Sequence, residues 1–100
     1  MSKNKITVEH YQNGINILHG KPIFKLMDTH GIPLDIINEI LRRKSSAFNI
    51  ADFIIAAKES KNYSKIRITK LLTENSPLDV ENNKEYFEDL KMLIDKIYSN

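Results

Sequence analysis

Between Phe24 and Leu41 the chain reads FKLMDTHGIPLDIINEIL, and Gly31 and Pro33 cut this run into two helices. Glycine adopts the left-handed backbone that ends a helix, and proline suits the first helical position, where its missing N–H costs nothing. Ile32, between them, is placed to touch Met27, the apolar contact that accompanies such a cap. A stop and a start this close commit the segment to a helix–turn–helix joint.

Similar punctuation runs along the rest of the sequence. The first helix opens at Gly20-Lys21-Pro22 and continues through IFKLMDTH. The second, PLDIINEILRRK, sets Leu34, Ile37, Ile40 and Leu41 in an apolar stripe at three-to-four spacing. SSAFN reads as a short loop, and Asn49 caps a third helix, IADFIIAAKES. That helix is apolar nearly all round, which makes it the expected centre of the core. Asn62-Tyr63 ends it, Ser64 caps a fourth helix, KIRITKLLTE, and Pro77 terminates that one. The last helix, from about Asn83 to Tyr98, aligns Phe87, Leu90, Ile94 and Ile97.

Ahead of these helices, KITVEHY and INIL flank QNG, and Asn13-Gly14 is the dipeptide that a tight type I′ hairpin turn favours. In that register His10 and His19 share a face. A metal site needs three or four ligands and no third is in view, so no metal is expected. The expected fold is mainly α: an N-terminal β-hairpin followed by about five short helices in one compact domain. The hairpin takes residues 1–20, the helical core 21–76 and an acidic C-terminal helix 79–100.

The 100 residues include no cysteine, which removes disulfides, thiolate metal sites and cysteine nucleophiles. No apolar run approaches the ~20 residues of a membrane span, and the polar start MSKNKITVEH does not read as a signal peptide, so the cytoplasm is the expected location. There is no Gly-rich phosphate loop and no HExxH, and Glu88-Asp89 point apart on their helix. No catalytic residues, no cofactor and no enzyme activity are expected.

Net charge is +2, but its placement is uneven. Residues 42–70 carry Arg42, Arg43, Lys44, Lys58, Lys61, Lys65, Arg67 and Lys70 against Asp52 and Glu59, a local +6. Residues 71–100 carry −4. Lysine and arginine bind nucleic acid by displacing counterions from phosphates, and Tyr63 at the turn is suited to stack on an unpaired base. The eight cations and Tyr63 are therefore the candidate nucleic-acid-binding residues. The same charges also read as a solvated face, partly neutralised by the acidic helix.

The run LHGKPIFKLMDTHGIPLDIINEI, about residues 18–40, resembles the helical tRNA-recognition segment of alanyl-tRNA synthetases. The resemblance centres on Phe24, Lys25, Leu26, Asp28, Thr29, Gly31, Pro33 and Asp35. It departs at Met27, His30 and Ile32, where bacterial members usually carry aromatics. It implies a shared helix–Gly–Pro–helix unit in contact with nucleic acid, RNA above all. It also implies that Asp35 matches the acidic residue that reads the acceptor-stem minor groove. Synthetase activity is not implied. Asp35 has an architectural role too, since a carboxylate in the first turn meets free N–H groups and the positive end of the helix dipole.

A different class of function uses the last helix. Its apolar stripe, rimmed by Glu81, Glu85, Glu88, Asp89 and Asp95, fits a protein partner or a second copy of the chain. The protein is then an adaptor, an inhibitor or an assembly component of viral or mobile-element origin, or a homodimer through this helix. Core packing is the competing role of the same stripe.

Overall fold

The structure is a computed structural model that describes residues 16–76 and 81–99 of the chain. A short strand β1 (Asn16–Leu18) leads into helices α1 (Gly20–Asp28) and α2 (Leu34–Arg43). Strand β2 (Ser46–Phe48) follows, then α3 (Ile50–Ser60), α4 (Lys65–Glu74) and α5 (Lys84–Tyr98). Among the described residues the fold is mainly helical, with five helices, as the sequence reading expected. None of the described helices is long and apolar enough to cross a membrane.

The strands differ from expectation. Residues 5–14, which carry the first hairpin strand and its turn, lie outside the described residues. The second hairpin strand is present as β1, and it pairs in parallel with β2, with Ile17 opposite Ala47 and Leu18 opposite Phe48. The segment read as the loop SSAFN is thus a strand in its central three residues. Parallel strands cannot be joined by a tight turn, so α1 and α2 together form the crossover. Ser45, at φ 50°, turns the chain from α2 into β2, and the Asn49 N–H closes the far end on the Leu18 carbonyl at 2.8 Å.

The helix boundaries follow local chemistry. Asn49 accepts the Asp52 N–H at 3.2 Å and Ser64 accepts the Arg67 N–H at 3.1 Å, so both expected caps are in place. Gly31 takes φ +69°, and the Ile32 N–H reaches the Leu26 carbonyl at 3.1 Å to finish α1. Pro33 stands at the cap of α2 rather than inside it, and Pro22 falls in the first turn of α1, a shift of one or two residues. The α3–α4 turn has no glycine; Lys61 itself adopts the left-handed conformation at φ 64°.

The core gathers around α3. Phe53, Ile54, Ile68, Leu90 and Ile94 are its most completely buried large side chains. Phe48, Phe53, Phe24 and Tyr63 form a chain of ring contacts with centroids 5.1, 5.5 and 5.4 Å apart. Phe87, Leu90, Ile94 and Ile97 of α5 are all buried in this core, so the stripe seals the chain's own interior. Ile40 departs from the predicted α2 stripe: it is 44% exposed while Leu34, Ile37 and Leu41 are buried.

Candidate nucleic-acid interface

Folding divides the basic segment. Arg42, Arg43 and Lys44 end α2 beside β2 and the start of α3, whereas Lys58, Lys61, Lys65 and Arg67 surround the far end of α3. Eleven residues of helix separate the two groups, about 16 Å at 1.5 Å per residue.

Ion pairing then sorts each group. Glu39, one turn back on α2, pairs with Arg42 and with Arg43, the latter at 3.3 Å. Lys65 pairs with Asp95 of α5, so the acidic helix neutralises one member of the basic turn. Lys58 donates from Nζ to the Ile97 carbonyl at 2.9 Å and anchors the end of α5. Exposed pairs of this kind contribute about 0–1 kcal/mol each to stability, but they remove charge from the surface a polyanion would meet. Lys61, Arg67 and Lys70 are exposed and make no ion pair with the described residues.

Tyr63 is half-buried. Its ring makes a T-shaped contact with Phe24, and the Arg67 guanidinium lies 4.3 Å from its centroid. Arg67 therefore covers one face of the ring that was expected to stack on a base. Arg67 Nη1 also donates to the Asn62 carbonyl at 2.8 Å. The Tyr98 hydroxyl donates to the Tyr63 carbonyl at 2.8 Å, so α5 holds the turn from behind.

Burial raises the Tyr98 phenol above its usual value of 10.0. The fold thus favours the protonated form. The associated stability is fully present below the unfolded value and disappears as pH rises through the higher folded one. Tyr98→Phe is expected to start about 1 kcal/mol less stable at neutral pH, and the gap should narrow as pH rises above about 10 in thermal melts. A constant gap across that range would mean that the phenol is not held as described.

Asp35 is exposed in the first turn of α2, where its Oδ1 accepts the Ile36 N–H at 2.9 Å. It lines an open cleft of about 180 Å³ together with Asn38, Glu39, Arg42, Glu74 and Asn75. Asn38 Nδ2 donates to the Asn75 carbonyl and ties α2 to the end of α4 across that cleft. Asp35 and the basic turn therefore stand at opposite ends of α4. Periodicity aligns Arg67, Lys70 and Glu74 on one exposed face between them.

No sequence signal pointed to a second cleft, of about 340 Å³, between α1 and α3, where Lys21 and Asp52 are among the lining residues. His19 Nδ1 stands 3.6 Å from Asp52 Oδ2 there. His10 lies outside the described residues, and among the described residues no three His, Asp or Glu side chains are arranged to hold a metal.

The helical fold thus carries a basic turn at one end of α4 and a carboxylate-lined cleft at the other, and comparison with known proteins narrows the class. Residues 4–97 match the family described as tRNA synthetases class II (A), and the chain belongs to that family. It is similar to the alanine–tRNA ligase of Delftia acidovorans, at 38% identity over 52 residues, which is 52% of this chain and 6% of that protein. The alanine–tRNA ligase of Polaromonas naphthalenivorans is 27% identical over 86 residues, 82% of this chain and 10% of the relative. That of Desulfosudis oleivorans is 36% identical over 52 residues, 52% of this chain and 6% of the relative. The chain thus spans a tenth or less of the length of these relatives. No solved structure matches it significantly. The family match extends the resemblance from the joint at residues 18–40 through β2, α3, α4 and most of α5.

Proposed function

We propose that this chain is an RNA-binding module that holds a tRNA-like stem, and that its role is binding alone, with no catalytic step routed through these residues. The observation that carries this reading is the match over residues 4–97 to a family of tRNA synthetases. The cytoplasm is the location that goes with it.

The charge pattern supports the same ligand. Lys61, Arg67 and Lys70 supply donors for phosphates, and counterion release there gives affinity that falls with salt. Asp35 and Glu74 present acceptors in the cleft at the other end of α4, beside Glu39, which is paired with Arg42 and Arg43. Acceptors repel phosphate, but they suit the 2′-hydroxyls and amino groups that an RNA minor groove exposes. An RNA stem offers both chemistries side by side, and a DNA duplex lacks the hydroxyls.

Binding to an acceptor-stem RNA hairpin and to the DNA duplex of the same sequence, titrated at low and physiological salt, tests the proposal. Roughly micromolar affinity for RNA is expected at low salt, with a steep loss as salt is added. Reversing the charge at Lys61, Arg67 and Lys70 should abolish most of that affinity and flatten the salt dependence. Asp35→Ala should narrow the preference for RNA over DNA while leaving the salt slope unchanged. Absence of binding at low salt, or unchanged binding by the charge-reversed protein, ends the RNA reading.

A further inference from the structure

Among the cations at the α3–α4 turn that make no ion pair with the described residues, Arg67 differs in being held from two sides. Its guanidinium lies 4.3 Å from the Tyr63 ring centroid, and its Nη1 donates to the Asn62 carbonyl at 2.8 Å. An exposed arginine ordinarily samples many rotamers and loses that freedom when it grips a ligand. Arg67 has lost much of it already. A guanidinium carries five N–H donors in a rigid plane, and the Asn62 bond uses one of them.

The support behind this group is continuous with the core. Phe53, fully buried, meets Phe24 edge-on at 5.5 Å, and Phe24 meets Tyr63 at 5.4 Å and 74°. The Tyr63 backbone is held by the Tyr98 hydroxyl at 2.8 Å. The ring beneath Arg67 is thus held by its contact with Phe24, and its backbone by the Tyr98 hydroxyl.

We propose that Arg67 is a pre-oriented phosphate anchor for RNA, and that Tyr63 is the positioning residue that aims it. The inference deepens the RNA-binding reading and rests on it. Lys70, three residues on and on the same face of α4, and Lys61, just before the turn, extend the cationic surface around the anchor. Farther along α4 the face turns acidic at Glu74, about 10 Å away by helix rise, so phosphates dock at the N-terminal half of the helix. A planar fork matches two phosphate oxygens at once, a contact that the point charge of a lysine does not reproduce.

The test measures affinity for the RNA hairpin across a salt series for the wild type, Arg67→Ala, Arg67→Lys, Tyr63→Phe and Tyr63→Leu, with circular dichroism confirming each fold. Arg67→Ala should weaken binding about tenfold and lower the salt slope by about one. Arg67→Lys should keep the slope and still lose several-fold, because the charge stays and the fork goes. Tyr63→Phe should bind like the wild type. Tyr63→Leu should lose several-fold with its slope intact, since Arg67 keeps its charge without its platform. Wild-type affinity in Arg67→Lys reduces Arg67 to a diffuse charge and overturns the anchor. If Tyr63→Leu does not fold, the Arg67→Lys result decides alone. Wild-type protein that binds no RNA removes both readings, whereas RNA binding that ignores Arg67 removes only this one.

Discussion

Replacing Gly20 by alanine is expected to cost about 3 kcal/mol and to lower the urea midpoint more than Gly31→Ala does. A Cβ at Gly20 would lie 2.3 Å from the Asn49 carbonyl oxygen, 2.3 Å from the Phe53 nitrogen and 2.8 Å from Asp52 Cβ. The first two atoms are the partners of the opening hydrogen bond of α3, Phe53 N–H to Asn49 O at 3.2 Å. The added methyl therefore wedges into backbone that has no rotamer to move aside. It separates α1 from the helix at the centre of the core. Gly31→Ala is the informative contrast. Nothing stands within 4 Å of its Cβ, but its φ of +69° is left-handed, so only the backbone preference is lost, about 1 kcal/mol. Unfolding of both variants by urea measures the difference. If Gly20→Ala came within about 1 kcal/mol of the wild type, α1 would not lie against α3 where the structure places it.

Gly20 also illustrates what was legible in the sequence. Its place at the opening of α1 was readable, because helix starts and stops depend on residues close in the chain. For the same reason Asn49, Ser64 and Gly31 could be assigned as caps and as a stop. The close approach to Asn49 and Phe53 was not readable, since it exists only once α3 lies across α1. Strand β2 escaped notice on similar grounds. Ser46-Ala47-Phe48 is too short to show alternation, and its partner lies thirty residues earlier in the chain. On α2 a three-to-four stripe fits Ile36, Ile37 and Ile40 almost equally well, and only packing leaves Ile36 and Ile40 outside.

The candidate interface was legible as composition and not as geometry. Residues 42–70 form one basic band on paper, but α3 holds its two ends apart. The partners that neutralise Lys65 and anchor Lys58 lie in α5, thirty and thirty-nine residues downstream. Tyr63 was legible at the turn as an aromatic, but that its ring lies under the Arg67 guanidinium was not, because that contact forms only once the chain has turned from α3 into α4. The joint at Gly31 and Pro33 supplied the family resemblance because it is short and local. The match itself runs on to residue 97, beyond the joint that sequence reading picked out.

Truncating Ile94 to alanine is expected to cost about 3–4 kcal/mol, because its side chain is fully buried and a large-to-small change there leaves a cavity as well as lost contact. Met92→Ala, on the same helix but 67% exposed, should change stability by no more than about 0.5 kcal/mol. Urea unfolding at several protein concentrations checks both values and decides the role of α5. If the Phe87–Ile97 stripe joined two copies, the wild-type midpoint would rise with concentration and that of Ile94→Ala would not. The expected result is a loss that is the same at every concentration, since the stripe closes the interior of one chain. The acidic face of α5 then remains outside with Asp95 on Lys65, while Ile97 and Tyr98 hold the far end of the basic turn. On this arrangement the acidic helix shapes the basic surface from behind: it neutralises one lysine, anchors another and leaves Lys61, Arg67 and Lys70 facing solvent.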